Sequence, residues 1–165
     1  MESRRRAIAL IDSSLVNADP EDEDLLILKA NILQSVRKFK QADRIYRSVL
    51  RRSPDNTLAL IDWADRLSSS RSGMRSALRY YDKALVLIER GKHRLSAEQE
   101  LVDGSAGKTR VLLRLGRPLD ALRAAIRGLQ HVPTDPILWD LSEAAREEYR
   151  RRARSRDQAR RKRRS

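Results

Sequence analysis

The chain has 165 residues, 36 basic and 23 acidic, a formal charge of +13, one Phe, two Trp and no Cys. That length suits one domain with a core of its own, and the lack of Cys excludes disulfide frameworks, zinc-thiolate sites and a thiol nucleophile. An apolar fraction of 40% excludes a wholly disordered chain, and six Gly with five Pro exclude collagen-like or linker character.

The opening Met1 to Arg6 followed by Ala7 to Ile11 imitates a signal peptide. Asp12 ends the apolar stretch after five residues, short of the roughly 7–15 that such a segment needs, and no small-residue cleavage site follows. Apolar runs elsewhere, such as Ala84 to Ile88, fall far short of the roughly 20 residues of a membrane span. The chain therefore reads as a soluble, cytoplasmic protein and not an integral membrane protein. Ala7, Ile8, Leu10, Ile11 and Leu15 predict a helix over residues 4–18, within an N-terminal packing segment 1–19. Asp19 before Pro20 reads as an N-cap with Pro at the first helical position. Glu21, Asp22, Glu23 and Asp24 then sit at the positive end of the next helix dipole.

From Glu23 to Asn56, Leu26, Ala30 and Leu33 recur at helical spacing. A break at Arg37 and Lys38 follows, then Phe39, Ala42, Tyr46, Val49 and Pro54. This is two amphipathic helices and a stop in 34 residues. The second-helix pattern returns as Ala77, Tyr81, Ala84 and as Ala121, Ala125, Gly128, Pro133. Each time, small residues stand where two helices must approach closely.

These spacings resemble the tetratricopeptide repeat (TPR) family, over roughly residues 20–145. The resemblance implies an all-α, right-handed solenoid of antiparallel helical hairpins with flanking capping helices. Three hairpins are expected, at about 20–56, 57–92 and 100–133. In the first, Lys29 stands where Leu is usual. In the second, Leu60, Trp63, Ala64, Leu67, Ala77, Tyr81 and Ala84 fit, with one extra residue in the Ser68–Gly73 turn. That hairpin lacks the closing Pro, and its last helix is expected to end at Gly91 in the left-handed conformation. The third fits through Leu112, Gly116, Ala121 and Pro133 but has Ser105, Lys108 and Thr109 in core-type places. Ala42, Ala77 and Ala121 are 35 and 44 residues apart, so about nine residues are inserted near 92–100, where a longer or offset helix is expected. Asp135 and Pro136 then start a helix with the stripe Ile137, Leu138, Leu141, Ala145, Tyr149, expected to cap the stack over 134–149. Trp139 matches the aromatic that opens a repeat in the family.

Chemical motifs are few. Gly104-Ser-Ala-Gly-Lys-Thr109 imitates a phosphate loop, but Val102 stands where the first Gly is required and no strand precedes it. Gly104 and Gly107 read instead as places where a helix bends or packs closely. His93 and His131 each fall near a predicted helix end, where the dipole accounts for them without a metal. Asp62 and Asp65 share one helix face with no further ligand beside them and read as a solvated face. Ser68, Ser69, Ser70 and Ser72 lie in a turn, and no nucleophile elbow is present. The reading is a non-enzymatic protein with no cofactor and no metal.

What remains is binding. The resemblance implies a concave groove lined by the first helices of successive hairpins, gripping an extended peptide or a helix of a protein partner. Carried over, the groove comprises Ile27, Asn31, Gln34, Ile61, Asp65, Ser69, Arg110, Leu113 and Arg114. The Asn31 amide can hold a backbone by donating and accepting together. Chaperone-binding members use Lys and Asn around a terminal carboxylate. Ile27 and Asp62 occupy two of those places here, which argues against that role. The expected function is a scaffold or adaptor that assists assembly of a larger complex. Self-association is left open.

Residues 146–165 hold 11 basic and 3 acidic residues, net +8, leaving +5 for residues 1–145. Arg150, Arg151, Arg152, Arg154, Arg156, Arg160, Arg161, Lys162, Arg163 and Arg164 have no apolar partner stripe, so the segment 150–165 is expected to be disordered alone. It reads as a site for nucleic acid or another anionic surface, neutralising about 8 phosphates with a salt slope near −7 on duplex DNA or about −6 on a single strand. Tyr149 is the only nearby aromatic for base stacking, so sequence readout is not expected. The alternative function is an RNA- or ribonucleoprotein-associated structural component, and the alternative role for the tail is simple solubilisation.

Overall fold

Several helix starts in the computed structural model follow from side-chain capping. The structure describes residues 2–17 and 22–162. Asp22 accepts from the backbone N–H of Asp24 and Leu25, starting a helix at Glu23. Asp19 and Pro20, the expected cap, lie outside the described residues. Asn56 accepts from Ala59 N and Ser96 from Gln99 N, opening two more helices. Three helix ends use left-handed residues. Gly91 (φ +79°) and Gly116 (φ +71°) take that conformation without a Cβ penalty, and Arg37 (φ +63°) takes it with one. Gly91 thus ends its helix as its sequence position implied.

The described residues form eight α-helices and no strand. They are α1 (Glu2–Asn17), α2 (Glu23–Ser35), α3 (Phe39–Arg52), α4 (Thr57–Ser68), α5 (Met74–Glu89), α6 (Ala97–Arg114), α7 (Pro118–His131) and α8 (Pro136–Lys162). Each helix packs on the next in sequence, and α2, α4, α6 and α8 also pack on one another in succession. The second helices stand farther apart: the backbones of α3 and α5, and of α5 and α7, do not approach among the described residues, and α5 meets α7 through side chains, where Arg127 pairs with Glu89 at 2.6 Å. The first helices of the hairpins therefore form a close inner row, and the second helices splay outward. No helix of the described chain is long and apolar enough to cross a membrane.

The core is a chain of linked clusters. Ala30, Leu33, Ala42, Tyr46, Val49 and Trp63 fill the first, with the rings of Tyr46 and Trp63 5.5 Å apart. Leu60, Ala64, Ala77, Tyr81, Ala84 and Leu101 form the second. The third hairpin departs from the family pattern where α6 meets both of its neighbours, α5 and α7, at close quarters. A Cβ on Gly107 would lie 2.6 Å from the Tyr81 ring, and one on Gly128 would lie 2.8 Å from Ser105 Cβ. Ser105 is the small residue that this approach requires. Thr109 is buried with its hydroxyl satisfied inside the helix by Ser105 O at 2.7 Å.

The segment that lengthens the second-to-third connection is tied down at both ends. Glu100, 1% exposed, accepts from the backbone N–H of Arg94 and of Leu95, both at 2.6 Å. Arg94 reaches back to Asp24 at 2.9 Å, and Lys92 to Asp55 at 2.9 Å. At the start of the chain, α1 packs on α2 through Ile11, and Asp12 pairs with Lys29. Lys29 stands in its unusual place because it meets that carboxylate. Leu10, expected in the packing stripe, is instead 67% exposed.

One expectation is overturned. The basic segment does not leave the fold at residue 150: α8 runs on to Lys162 as a single helix. Extending an existing helix needs no new nucleus, and Arg is a good helix former. Glu148 pairs with Arg151 at 2.5 Å and with Arg152 at 2.6 Å, and Arg152 also donates to Gly116 O at 2.7 Å. These contacts replace the apolar stripe that the sequence lacks.

Candidate partner-binding groove

The inner row is built by helices whose opposite face is committed to the core. On α2, Ala30 and Leu33 point inward, so Asn31 is left on the concave side; on α4, Leu60, Trp63 and Ala64 do the same for Asp62 and Asp65. Tyr46 of α3 donates its hydroxyl to Asn31 Oδ1, and Asn31 Nδ2 donates to Asp62 Oδ2 at 2.7 Å. Tyr81 of α5 donates to Asp65. Two buried tyrosines thus reach through from the outer row and hold the polar residues of the inner one.

This arrangement shifts the charges. Burial pushes the Asp62 carboxyl up to about 6; the Asn31 hydrogen bond opposes the rise, and Asp65, Asp103 and Glu100 add to it. Burial also raises Asp65, with Tyr81 and Arg110 pulling it down and Asp103 pushing it up. The hydroxyls of Tyr46 and Tyr81 are pushed far up, first by burial and then by these carboxylates. Both phenols therefore remain donors. Asp62 and Asp65, read from the sequence as a solvated face, are instead partly desolvated members of one acidic cluster.

The other expected groove residues divide. Ile27 (1% exposed) and Ile61 (2% exposed) are core residues, so neither is available to a partner. Both lie between packed helices and not on the open side: Ile27 belongs to the first core cluster, and Ile61 belongs to the second and reaches α6, where a Cβ on Gly104 would stand 3.7 Å from it. Gln34 is half-buried, and Leu113 packs with Leu112, Ala121 and Ala145. Ser69 ends α4, donates to Arg66 O and accepts from the Arg66 guanidinium. Arg110 is exposed near Asp65. Arg114 donates to Ser68 O at 2.7 Å and so joins the C-terminal ends of α6 and α4. Sequence reasoning missed Asp103, whose signal is that it lies seven residues before Arg110 and so on the same face of α6.

On the basic segment, Arg150, Arg151 and Arg154 line one exposed face of α8 with Ser155 and Gln158. Arg152 and Arg156 border a cleft of about 410 Å³ with Tyr149, Leu119 and Pro118. Arg160, Arg161 and Lys162 belong to the last turn of the helix, and Arg163 and Arg164 lie outside the described residues. Among the described residues no group of three or more His, Asp or Glu side chains is placed to hold a metal. Gly104 and Gly107 lie inside α6 against Leu85 and Tyr81, the close packing their positions implied.

No protein-family model matches this sequence, and neither does any curated protein. Among solved structures, the chain is similar over 93% of its length to PilW, a widely conserved type IV pilus biogenesis factor. It covers 71% of that chain, with a TM-score of 0.70 and 19% identity. It also aligns over 86% of its length with a thermophilic TPR protein of Thermus thermophilus, covering 90% of that chain, with a TM-score of 0.46 and 16% identity. Solenoids of this kind curve into extended concave surfaces. With its successive hairpins, close inner row and signature small residues, the chain has a TPR-like fold, an all-α solenoid.

Proposed function

We propose that the protein is a non-enzymatic scaffold that binds protein partners along the inner face of α2, α4 and α6 and assists assembly of a larger complex. The observation that carries this reading is the braced row Asn31, Asp62 and Asp65, set by Tyr46 and Tyr81. Polar side chains held from behind lose little freedom when a partner binds, so less of the binding energy goes into ordering them. PilW, which shares the fold, is a biogenesis factor of the type IV pilus, and an assembly role for this chain agrees with that. The basic end of α8 reinforces attachment.

The test compares proteins captured from the native cell by the wild-type chain, by Asn31→Ala/Asp65→Asn, and by Arg150→Gln/Arg154→Gln/Arg156→Gln, all after nuclease treatment. The reading requires a set of partners lost with the groove variant and kept by the α8 variant. An identical set for all three sinks it.

A second reading, a structural component of a ribonucleoprotein, is favoured by one observation: Arg150, Arg151 and Arg154 share one exposed helical face. Capture that vanishes with nuclease and with the α8 variant, while the groove variant behaves as wild type, would select it.

A further inference from the structure

The groove and the end of α8 are opposite in charge. Asp62, Asp65 and Asp103 lie near one another on the inner row, with the buried Glu100 behind them, Arg110 beside them, and Arg114, engaged by Ser68 O, one turn farther along α6. Arg66, the cation near Tyr46, is already paired with Asp43. On α8 beyond Glu148, Arg151 and Arg152 are paired with that residue, whereas Arg150, Arg154 and Arg156 form no ion pair among the described residues.

Geometry separates the two within one chain. Leu138 packs beside Val102 and Ala106, Ala145 beside Leu112, and Arg152 against Gly116. So α8 runs parallel to α6, and its last turns pass beyond the end of α6. Ten residues of helix make an arm of about 15 Å. The arm is continuous with the packed part of α8 and has no hinge on which to turn back toward Asp62 and Asp65 of its own chain.

We infer that the acidic inner face of one copy receives the arginine-bearing end of α8 of a second copy, in a head-to-tail association. The inference rests on the reading of the inner face as a binding groove and names an occupant for it. The contact is heterologous: each copy offers one groove and one arm, so association continues into a ring or a short filament. Complementary local charge must overcome the repulsion between two chains of +13, which makes the association sensitive to salt.

The test measures the mass of the full chain in solution by light scattering over a concentration series, at low and at high salt. The expected result is a mass that rises above the monomer at low salt and returns to it at high salt. Reversing the groove (Asp65→Lys/Asp103→Lys) weakens association by about tenfold or more, and so does reversing the arm (Arg150→Glu/Arg154→Glu/Arg156→Glu). The arm variant lowers the net charge, so simple relief of repulsion predicts the opposite. Mixing the two variants restores association, because each then meets a groove of opposite sign. Asp65→Asn/Asp103→Asn, which keeps an acceptor for Tyr81, covers the case in which the lysine variant does not fold. A wild-type chain that stays monomeric at low salt overturns the inference, and so do arm variants that associate as wild type. Neither result touches the groove reading, which fails on its own if groove variants capture the same partners as wild type.

Discussion

Gly107 shows how little room one residue can have. A methyl there would lie 2.6 Å from the ring of Tyr81, whose hydroxyl is held by Asp65. The ring is fully buried and cannot swing aside without breaking that bond. Gly107→Ala is therefore expected to cost about 1–3 kcal/mol in denaturant unfolding. A change below a few tenths would show that α5 and α6 yield easily. Asp62 gives a prediction of the other sign. Its folded-state pKa is raised to about 6 from 3.8, so the folded chain holds a proton that the unfolded chain has lost between those values. The charged form opposes folding above about pH 6, and this penalty fades as pH falls through 6 toward the unfolded value. Asp62→Asn keeps an acceptor for Asn31 and removes the charge, so it is expected to stabilise the protein at neutral pH by about 1–2 kcal/mol after allowing for solvent screening. The gain should vanish near about pH 4. Equal destabilisation at both pH values would contradict it.

Among the helices, α8 depends most on contacts that are not apolar. Its first half is anchored by Leu138 and Ala145, but past Tyr149 it is held by Arg152 on Gly116 O and on Glu148. Arg152, hydrogen-bonded to Glu148, also holds that carboxyl below the usual carboxylate range. Arg152→Ala should leave α6 and α7 intact and fray residues 153–162, seen as faster amide exchange confined to that stretch. Unchanged protection there would mean that helix propensity alone suffices. The helix boundaries were legible because capping residues and the left-handed Gly91 announce themselves locally. The continuation of α8 was not, since its latch joins residues 36 apart in sequence.

For the whole molecule, charge is a matter of placement. The repeats carry +5 and the last 20 residues +8, yet Arg151 and Arg152 are engaged by Glu148. Fewer cations are free than the sequence counts. If the arm binds a polyanion, about 6 contacts remain and the salt slope on duplex DNA should be near −5 instead of −7. A titration of the full chain against duplex DNA over a salt series measures it. Arg150→Gln/Arg154→Gln/Arg156→Gln should remove about 3 from that slope. A flat salt dependence would rule out phosphate binding by the arm.

Short-range chemistry set the repeat: small residues at helical spacing, Tyr46 and Tyr81 a turn away, and caps at the breaks can be satisfied only by hairpins that stack. The tertiary structure decided which of the expected groove residues face out. Ile27 and Ile61 went into the core, while Asp62 and Asp103 came to the inner face. One helical position spans about 100° of arc, so a small rotation of each helix in the stack moves a side chain from groove to core. That rotation is set by the neighbours it packs against, through approaches such as Gly107 on Tyr81 and Gly128 on Ser105, and no single segment contains both partners.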